Sequence, residues 1–479
     1  MNLSIITYFL GWVMAIEGVL MVLPCIIAVI YRETSGFYIA GVSLFCMIVG
    51  WLMAHKRPRV TIFYAKEGFV AVSLSWIVLS LFGAMPFYLS REIPVFENAL
   101  FEVISGFTTT GASILSDVEA LSNCMLMWRS FTHWIGGMGV LVFILAVLPL
   151  AGGYNIHIMR AESPGPSVGK LVPKVKATAK ILYLIYFSLT VAQLIILLLC
   201  RMPWFDSLCI SVGTAGTGGF GILNASCGAY TTVQQAVITI FMILFGVNFN
   251  AYYLMLIRKP KDAFASEEVR AYLGIILASI LLITWNIRGS FGSIFMAFHH
   301  AAFQVASIIT TSGFSTVDFD LWPSFSKTIL VILMFVGACA GSTGGGIKIS
   351  RIVMAAKTVK KELRSLIHPR SIKILKFEGK PIEHTVLRSL NTYLITYMII
   401  FALSVLVISL DNLDPTTNFT AVAATLNNIG PGLNQVGPTC NFDLFSPFSK
   451  YILMFDMLAG RLELFPMLLL FSPRTWMKE

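Results

Sequence analysis

Charge is what this sequence has least of. Of its 479 residues, 12% are Asp, Glu, Lys or Arg, while 57% are hydrophobic, and the mean hydropathy is +0.80. A soluble domain carries about 25% charged residues, so the shortage excludes one and points to an integral membrane protein. The formal charge of +10 would suggest nucleic acid as a partner of a soluble chain. In a membrane protein, basic residues retained in the inner loops account for it, and no nucleic-acid partner is expected. Histidine and cysteine are also sparse. The seven histidines show no HExxH or zinc-type spacing. The eight cysteines form no CxxC pair and read as small apolar filler. No nucleophile, base or metal cluster converges, which argues against an enzyme. Two glycine runs imitate nucleotide motifs. Residues 216–221 satisfy G-x-G-x-x-G without a βαβ unit or a downstream ribose acid, and residues 341–348 approach a P-loop with Ile347 where its lysine belongs. No organic cofactor is expected on this chain. A basic leader region and an A-x-A cleavage site are lacking, so the first apolar stretch is expected to remain as a span.

What the chain does have is long apolar segments. A span needs about 20 apolar residues, and ten are expected: 5–30, 36–54, 68–90, 124–150, 179–201, 231–257, 271–288, 326–357, 386–410 and 447–471. Four further apolar stretches, 96–108, 204–215, 293–309 and 416–427, are too short to cross and fit re-entrant helices. Each leads into a glycine-bearing loop: Thr108-Thr109-Thr110-Gly111, Thr217-Gly218-Gly219-Phe220, Thr311-Ser312-Gly313-Phe314 and Asn427-Asn428-Ile429-Gly430-Pro431-Gly432. Irregular backbone at membrane depth is tolerated only where protein buries it or where it lines an aqueous path. Taking Gly111, Gly218, Gly313 and Gly430 as one glycine per copy, the intervals are 107, 95 and 117 residues. An ordinary helix-connecting turn accounts for any one loop but poorly for four at near-even spacing. The spacing suggests four repeats around one axis, and a ring of four backbone loops is a way to build a cation filter. Glycine permits the left-handed turns that aim carbonyls at an axis. The preceding short helix directs the negative end of its dipole there. Candidate cation ligands are Thr109, Thr110, Gly111, Thr217, Gly218, Ser312, Gly313, Asn428, Ile429 and Gly430.

Basic residues give the orientation. With a cytoplasmic N-terminus, segments 55–66, 151–180, 258–270, 348–388 and the tail after 472 lie inside and hold 26 of the 34 Lys and Arg, against seven outside. That bias predicts both termini in the cytoplasm and the glycine loops towards the outer face. The segment 357–388 has two readings: topology charges alone, or a basic surface for anionic lipid or an acidic partner. Residues 341–346 hold four glycines, Gly341, Gly344, Gly345 and Gly346, inside the segment 326–357. Each interior glycine costs a helix about 1 kcal/mol relative to alanine. A broken helix is favoured over a close-packing small-residue face. Arg461, inside the last span, is either a snorkelling cation or a positive barrier facing a pore. Glu102 reads as a cap for neighbouring amides in preference to a cation attractor. Asp318 and Asp320 are expected in a funnel that draws cations in.

The motifs together resemble the Trk/Ktr/HKT superfamily of cation transporters, in its TrkH/TrkG type. The match rests on residues 106–112, 217–220, 307–314, 340–348, 426–433 and 460–463 and covers essentially the whole chain. Gly221 stands where that family usually has serine. The resemblance implies an all-α integral membrane fold of four M1-P-M2, potassium-channel-like repeats around a pseudo-fourfold pore. Two extra N-terminal transmembrane helices precede them. On this reading residues 1–66 hold the extra helices, and 67–177, 178–269, 270–380 and 381–479 are the repeats, the third containing the gate. It further implies potassium as the transported ion and residues 341–346 as an intramembrane gate loop beneath the filter, with Lys348 holding its lower end and Arg461 facing it. A homodimer in the lipid of a bacterial inner membrane and a separate cytosolic TrkA-type nucleotide-binding subunit complete the expectation. A secondary transporter of small solutes is the rival; inverted repeats would mark it, whereas these four share one orientation.

Overall fold

The computed structural model describes residues 3–56, 65–137, 139, 175–369 and 374–477. Among them, six helices are long and apolar enough to cross a membrane: Leu3–Tyr31, Gly36–His55, Lys66–Leu89, Ala179–Leu199, Glu267–Ile287 and His384–Asp411. The pair Thr232–Phe245 and Phe249–Leu256 passes the same test together but bends by 90° at its break. The four short apolar stretches form helices, Phe96–Phe107, Trp204–Gly216, Ile294–Ile309 and Pro415–Leu426.

Of the ten expected spans, three that follow glycine loops are interrupted, and the break expected within 326–357 is there. Segment 231–257 turns sharply at residues 246–248. Segment 326–357 is helical over Ser324–Met334, irregular through the glycine run, and helical again over Ile349–Ile367. Segment 447–471 stops at Arg461, passes Glu463 and Leu464 with φ of 59° and 68°, and resumes as Phe465–Phe471. The fourth, 124–150, is helical over Asn123–Gly137. Its remainder, residue 139 apart, lies outside the described residues, as do most of loop 151–180 and residues 57–64, 370–373 and 478–479.

Burial separates two kinds of helix. The crossing helices leave one side exposed, as at Leu184, Phe187, Leu199, Leu277, Leu281 and Trp285, a composition suited to hydrocarbon. The short helices are buried almost all round at their C-terminal ends: residues 101–107, 209–216, 303–309 and 420–426 are covered without a break. They form the centre, and the long helices surround them. Helices Leu3–Leu20 and Gly36–His55 meet through small residues. A Cβ on Gly11 would come within 2.8 Å of the Gly50 carbonyl oxygen, and one on Gly18 within 2.6 Å of that of Ser43. Between such faces dispersion contacts replace the hydrophobic driving force that lipid removes. The one departure from an all-helical chain among the described residues is a small antiparallel hairpin, Lys376–Phe377 paired with Lys380–Pro381.

Candidate functional site: a ring of four turns

Each short helix ends in the same hydrogen-bonded cap. The amides of Thr110, Gly218, Ser312 and Ile429 donate to the carbonyls of Ser105, Gly213, Ser307 and Ala424, at 2.9, 3.0, 2.8 and 2.8 Å. The amides one residue earlier, on Thr109, Thr217, Thr311 and Asn428, donate to carbonyls three residues back. This double closure forces a left-handed residue at the helix end. Thr109, Thr217, Thr311 and Asn428 take it with φ of 54–60°. Two residues on, the chain turns left-handed again at a glycine: Gly111, Gly219, Gly313 and Gly430, with φ of 81°, 80°, 80° and 100°.

The four turns touch in a closed cycle. A Cβ built on Gly111 would lie 2.2 Å from the carbonyl oxygen of Gly218, one on Gly219 1.8 Å from that of Ser312, one on Gly313 2.2 Å from that of Ile429, and one on Gly430 2.7 Å from that of Thr110. No side chain fits at any of the four, so each carbonyl sits against its neighbour's glycine. On one side of this ring opens a cavity of ≈ 190 Å³ that all four left-handed glycines line. Two acceptors at the turns, Thr109 Oγ1 and Asn428 Oδ1, are buried without a hydrogen-bond partner. An array of carbonyl oxygens with spare acceptors suits a hard cation.

The register of the second turn differs from the glycine count made on the sequence. There Gly219, not Gly218, is the left-handed glycine, while Gly218 stands at the position of Thr110, Ser312 and Ile429. Aligning the residues that open each turn, threonine in three and Asn428 in the fourth, puts Gly219 and Thr311 in the set. His133 explains why the position before Gly219 is also glycine. A Cβ on Gly218 would fall 2.1 Å from the His133 ring. That ring bridges two turns, with Nδ1 2.8 Å from the Gly106 carbonyl oxygen and Nε2 accepting from the Phe220 amide at 3.3 Å.

The first turn rests on a buried ion pair. Arg129 Nε donates to Glu102 at 2.6 Å, with both side chains shielded. Glu102 also accepts from the Ile114 amide at 3.0 Å and from the Ser113 hydroxyl. Arg129 reaches the Gly221 carbonyl at 2.8 Å and lies 3.5 Å from the Phe220 ring centroid. Glu102 is therefore a structural cap. Arg129, one of the seven basic residues placed outside the inner segments, joins the first turn to the second. Asp320 bonds Lys327 and the Asn434 amide, and Asp318 caps its own turn.

On the side of the ring away from the cavity lies the glycine-rich segment. A Cβ on Gly345 would come within 2.8 Å of Asn428 Cβ, and one on Gly344 within 3.0 Å of the Thr310 carbonyl oxygen. The Gly345 amide donates to Thr311 Oγ1 at 2.7 Å, so the segment is bonded directly to a turn of the ring. Gly341 and Gly346 take φ of 69° and 68°, which bends the chain out of helix at both ends of the run. Buried Lys348 donates to the carbonyls of Gly344 and, at 3.0 Å, Gly345. It thus holds the half of the segment nearest itself. Arg461 donates to the Thr343 carbonyl at 2.9 Å and to those of Gly136 and Gly137 at 2.6 and 2.8 Å. It is bound to the segment and not turned to lipid.

Comparison with known proteins decides the family. A family model described as "TrkH: Cation transport protein" matches residues 35–284 and 272–478.

The chain belongs to the TrkH family.

Curated TrkH relatives include the Trk system potassium uptake proteins of Salmonella typhimurium and Escherichia coli K12, each 35% identical over 99% of this chain and 100% of the relative. The potassium uptake protein TrkG of Escherichia coli K12 is 32% identical over 99% of both chains. The fold matches the crystal structure of the potassium transporter TrkH from Vibrio parahaemolyticus with a TM-score of 0.89 and 32% identity, over 100% of both chains. TrkH proteins are transport proteins and not enzymes, and this one is a multi-span membrane protein.

Proposed function

We propose that this chain carries potassium into a bacterium across its inner membrane, through the ring of turns at residues 109–111, 217–219, 311–313 and 428–430 acting as a selectivity filter. The observation that carries the reading is the closed cycle of glycine-to-carbonyl contacts, because a continuous wall of backbone oxygens is what a dehydrated cation needs. The printed names of the relatives support potassium as the ion. The arrangement we infer is four M1-P-M2 units, at 67–177, 178–269, 270–380 and 381–479, around a pseudo-fourfold axis, preceded by two extra N-terminal transmembrane helices within 1–66. The repeated cap at the end of each short helix supports it.

In this reading the path runs from the glycine-lined cavity through the ring and meets the segment 341–346, which acts as the gate. Lys348 and Arg461 hold that segment across the axis, and their positive charge opposes a cation arriving from the ring. Both termini and the basic loops face the cytoplasm. A homodimer and a separate TrkA-type nucleotide-binding subunit complete the assembly.

Rubidium uptake into liposomes holding the purified protein, with potassium, sodium and lithium as competitors, tests the proposal. Block by potassium well ahead of sodium, lost on Gly111→Ser, is the expected result. No rubidium entry, with or without a TrkA-type partner, would overturn the filter and favour a solute transporter.

A further inference from the structure

Glu268 sits at the start of helix Glu267–Ile287 with its side chain buried. Its carboxylate reaches both flanks of the glycine-rich segment. Oε1 accepts from the Ala340 amide at 2.7 Å and from the Ser350 amide at 3.2 Å, and Oε2 accepts from Asn248 at 3.3 Å. Asn248 belongs to the 90° break, and that break bonds the same flank. The Gly246 carbonyl accepts from the Cys339 amide at 3.1 Å, and the Phe249 amide donates to the Gly341 carbonyl at 3.0 Å. One carboxylate and one helix break therefore clamp the segment where it enters and where it leaves.

The clamp is itself held from the hairpin. Glu378 Oε1 accepts from the Glu268 amide at 3.1 Å and from the Ser266 hydroxyl at 2.8 Å. The hairpin has only two residue pairs, too few to be stable alone. Its turn places Glu378 and Gly379 at φ of 50° and 73°, a geometry that favours Asn-Gly over Glu-Gly. Lys357 ties the neighbouring helix to the same place, pairing with Glu267 and donating to the Lys376 carbonyl at 2.8 Å. A cavity of ≈ 230 Å³ lies between the hairpin, the helix break and Glu268. The hairpin thus has room to shift, and Glu378 and Lys357 seat it.

We infer that Glu268 is a positioning residue for the segment 341–346 and that the hairpin around Glu378 is the lever that sets it. The inference rests on the reading of that segment as the gate. A force that lifts the hairpin withdraws Glu378 from the Glu268 backbone, and the helix start that carries the clamp moves with it.

Cys339 provides a readout independent of flux: it is free and fully buried next to the clamped Ala340. Its labelling by a small methanethiosulfonate is followed by mass spectrometry of that peptide, on the full chain in detergent. Rubidium uptake is measured in parallel. Glu378→Gly removes the carboxylate while suiting the turn. Glu268→Ala removes the clamp, and Glu268→Gln keeps an acceptor oxygen. Glu378→Gly and Glu268→Ala are expected to speed Cys339 labelling about tenfold, the scale of losing a charge-assisted hydrogen bond, with flux rising in step. Glu268→Gln is expected to restore most of the protection. Unchanged labelling in Glu378→Gly would overturn the lever, and this variant carries the test if Glu268→Ala does not fold. Faster labelling with unchanged flux would uphold the clamp and overturn the gate reading on which it rests.

Discussion

Gly219 and Gly218 stand side by side and are irreplaceable for different reasons. At Gly219 the obstacle is the ring itself, since a methyl group would overlap the Ser312 carbonyl and the backbone is left-handed. At Gly218 it is the His133 ring. Gly219→Ala is expected to spoil the carbonyl cycle, so that sodium competes with rubidium uptake nearly as well as potassium does. A variant that kept potassium preference would remove Gly219 from the filter. Glu102→Gln should leave Arg129 as an uncompensated buried charge, at a cost of about 3–5 kcal/mol. A clear drop in melting temperature of the detergent-solubilised protein is the measurement. The ring was partly legible in residue types, because the threonine opening three of the turns is visible and only its alignment was missed. Arg129 and His133 were not legible. Nothing in their local sequence announces that one holds a glutamate 27 residues away and the other a carbonyl 27 residues away.

The elements that mattered most are the interrupted helices. The break at 341–346 could be read from four glycines in six residues. The breaks at 246–248 and 462–464 could not, since the first has a single glycine and the second places Glu463 and Leu464, not glycines, at positive φ. Both are made by tertiary partners: Cys339 and Gly341 bond the first, and Arg351 pairs with Glu463 in the second. Local propensity carries no record of such contacts. Two substitutions examine the glycine-rich segment as an element. Thr311→Val removes the acceptor of the Gly345 amide, and Arg461→Ala removes the donors to Thr343, Gly136 and Gly137. Each should raise rubidium flux several-fold, by loosening about 1–3 kcal/mol of hydrogen bonding. Flux that is unchanged or lower in a stable variant would count against the segment as a barrier.

At the scale of the whole molecule, composition announced the membrane, and four glycine loops at near-even spacing pointed to the turns that meet in the ring. Packed carbonyls repel one another unless a cation sits among them. Potassium should therefore bind the folded protein and raise its stability by about 2.7 kcal/mol at a hundredfold excess over its dissociation constant. Replacing potassium by choline at constant ionic strength should lower the melting temperature, with sodium restoring less of it than rubidium. Equal melting in all four salts would speak against a selective site in the ring.

The cycle closes where Gly430 meets Thr110, across 320 residues of chain. A ribosome must add those 320 residues after Thr110 before that wall can stand. Until then three turns face an open gap, and in the proposed reading a partly made chain in the bilayer has no finished conduit to leak through. Arg461 follows only 31 residues after Gly430, so in the proposed reading biosynthesis delivers the doorway and its bolt almost together.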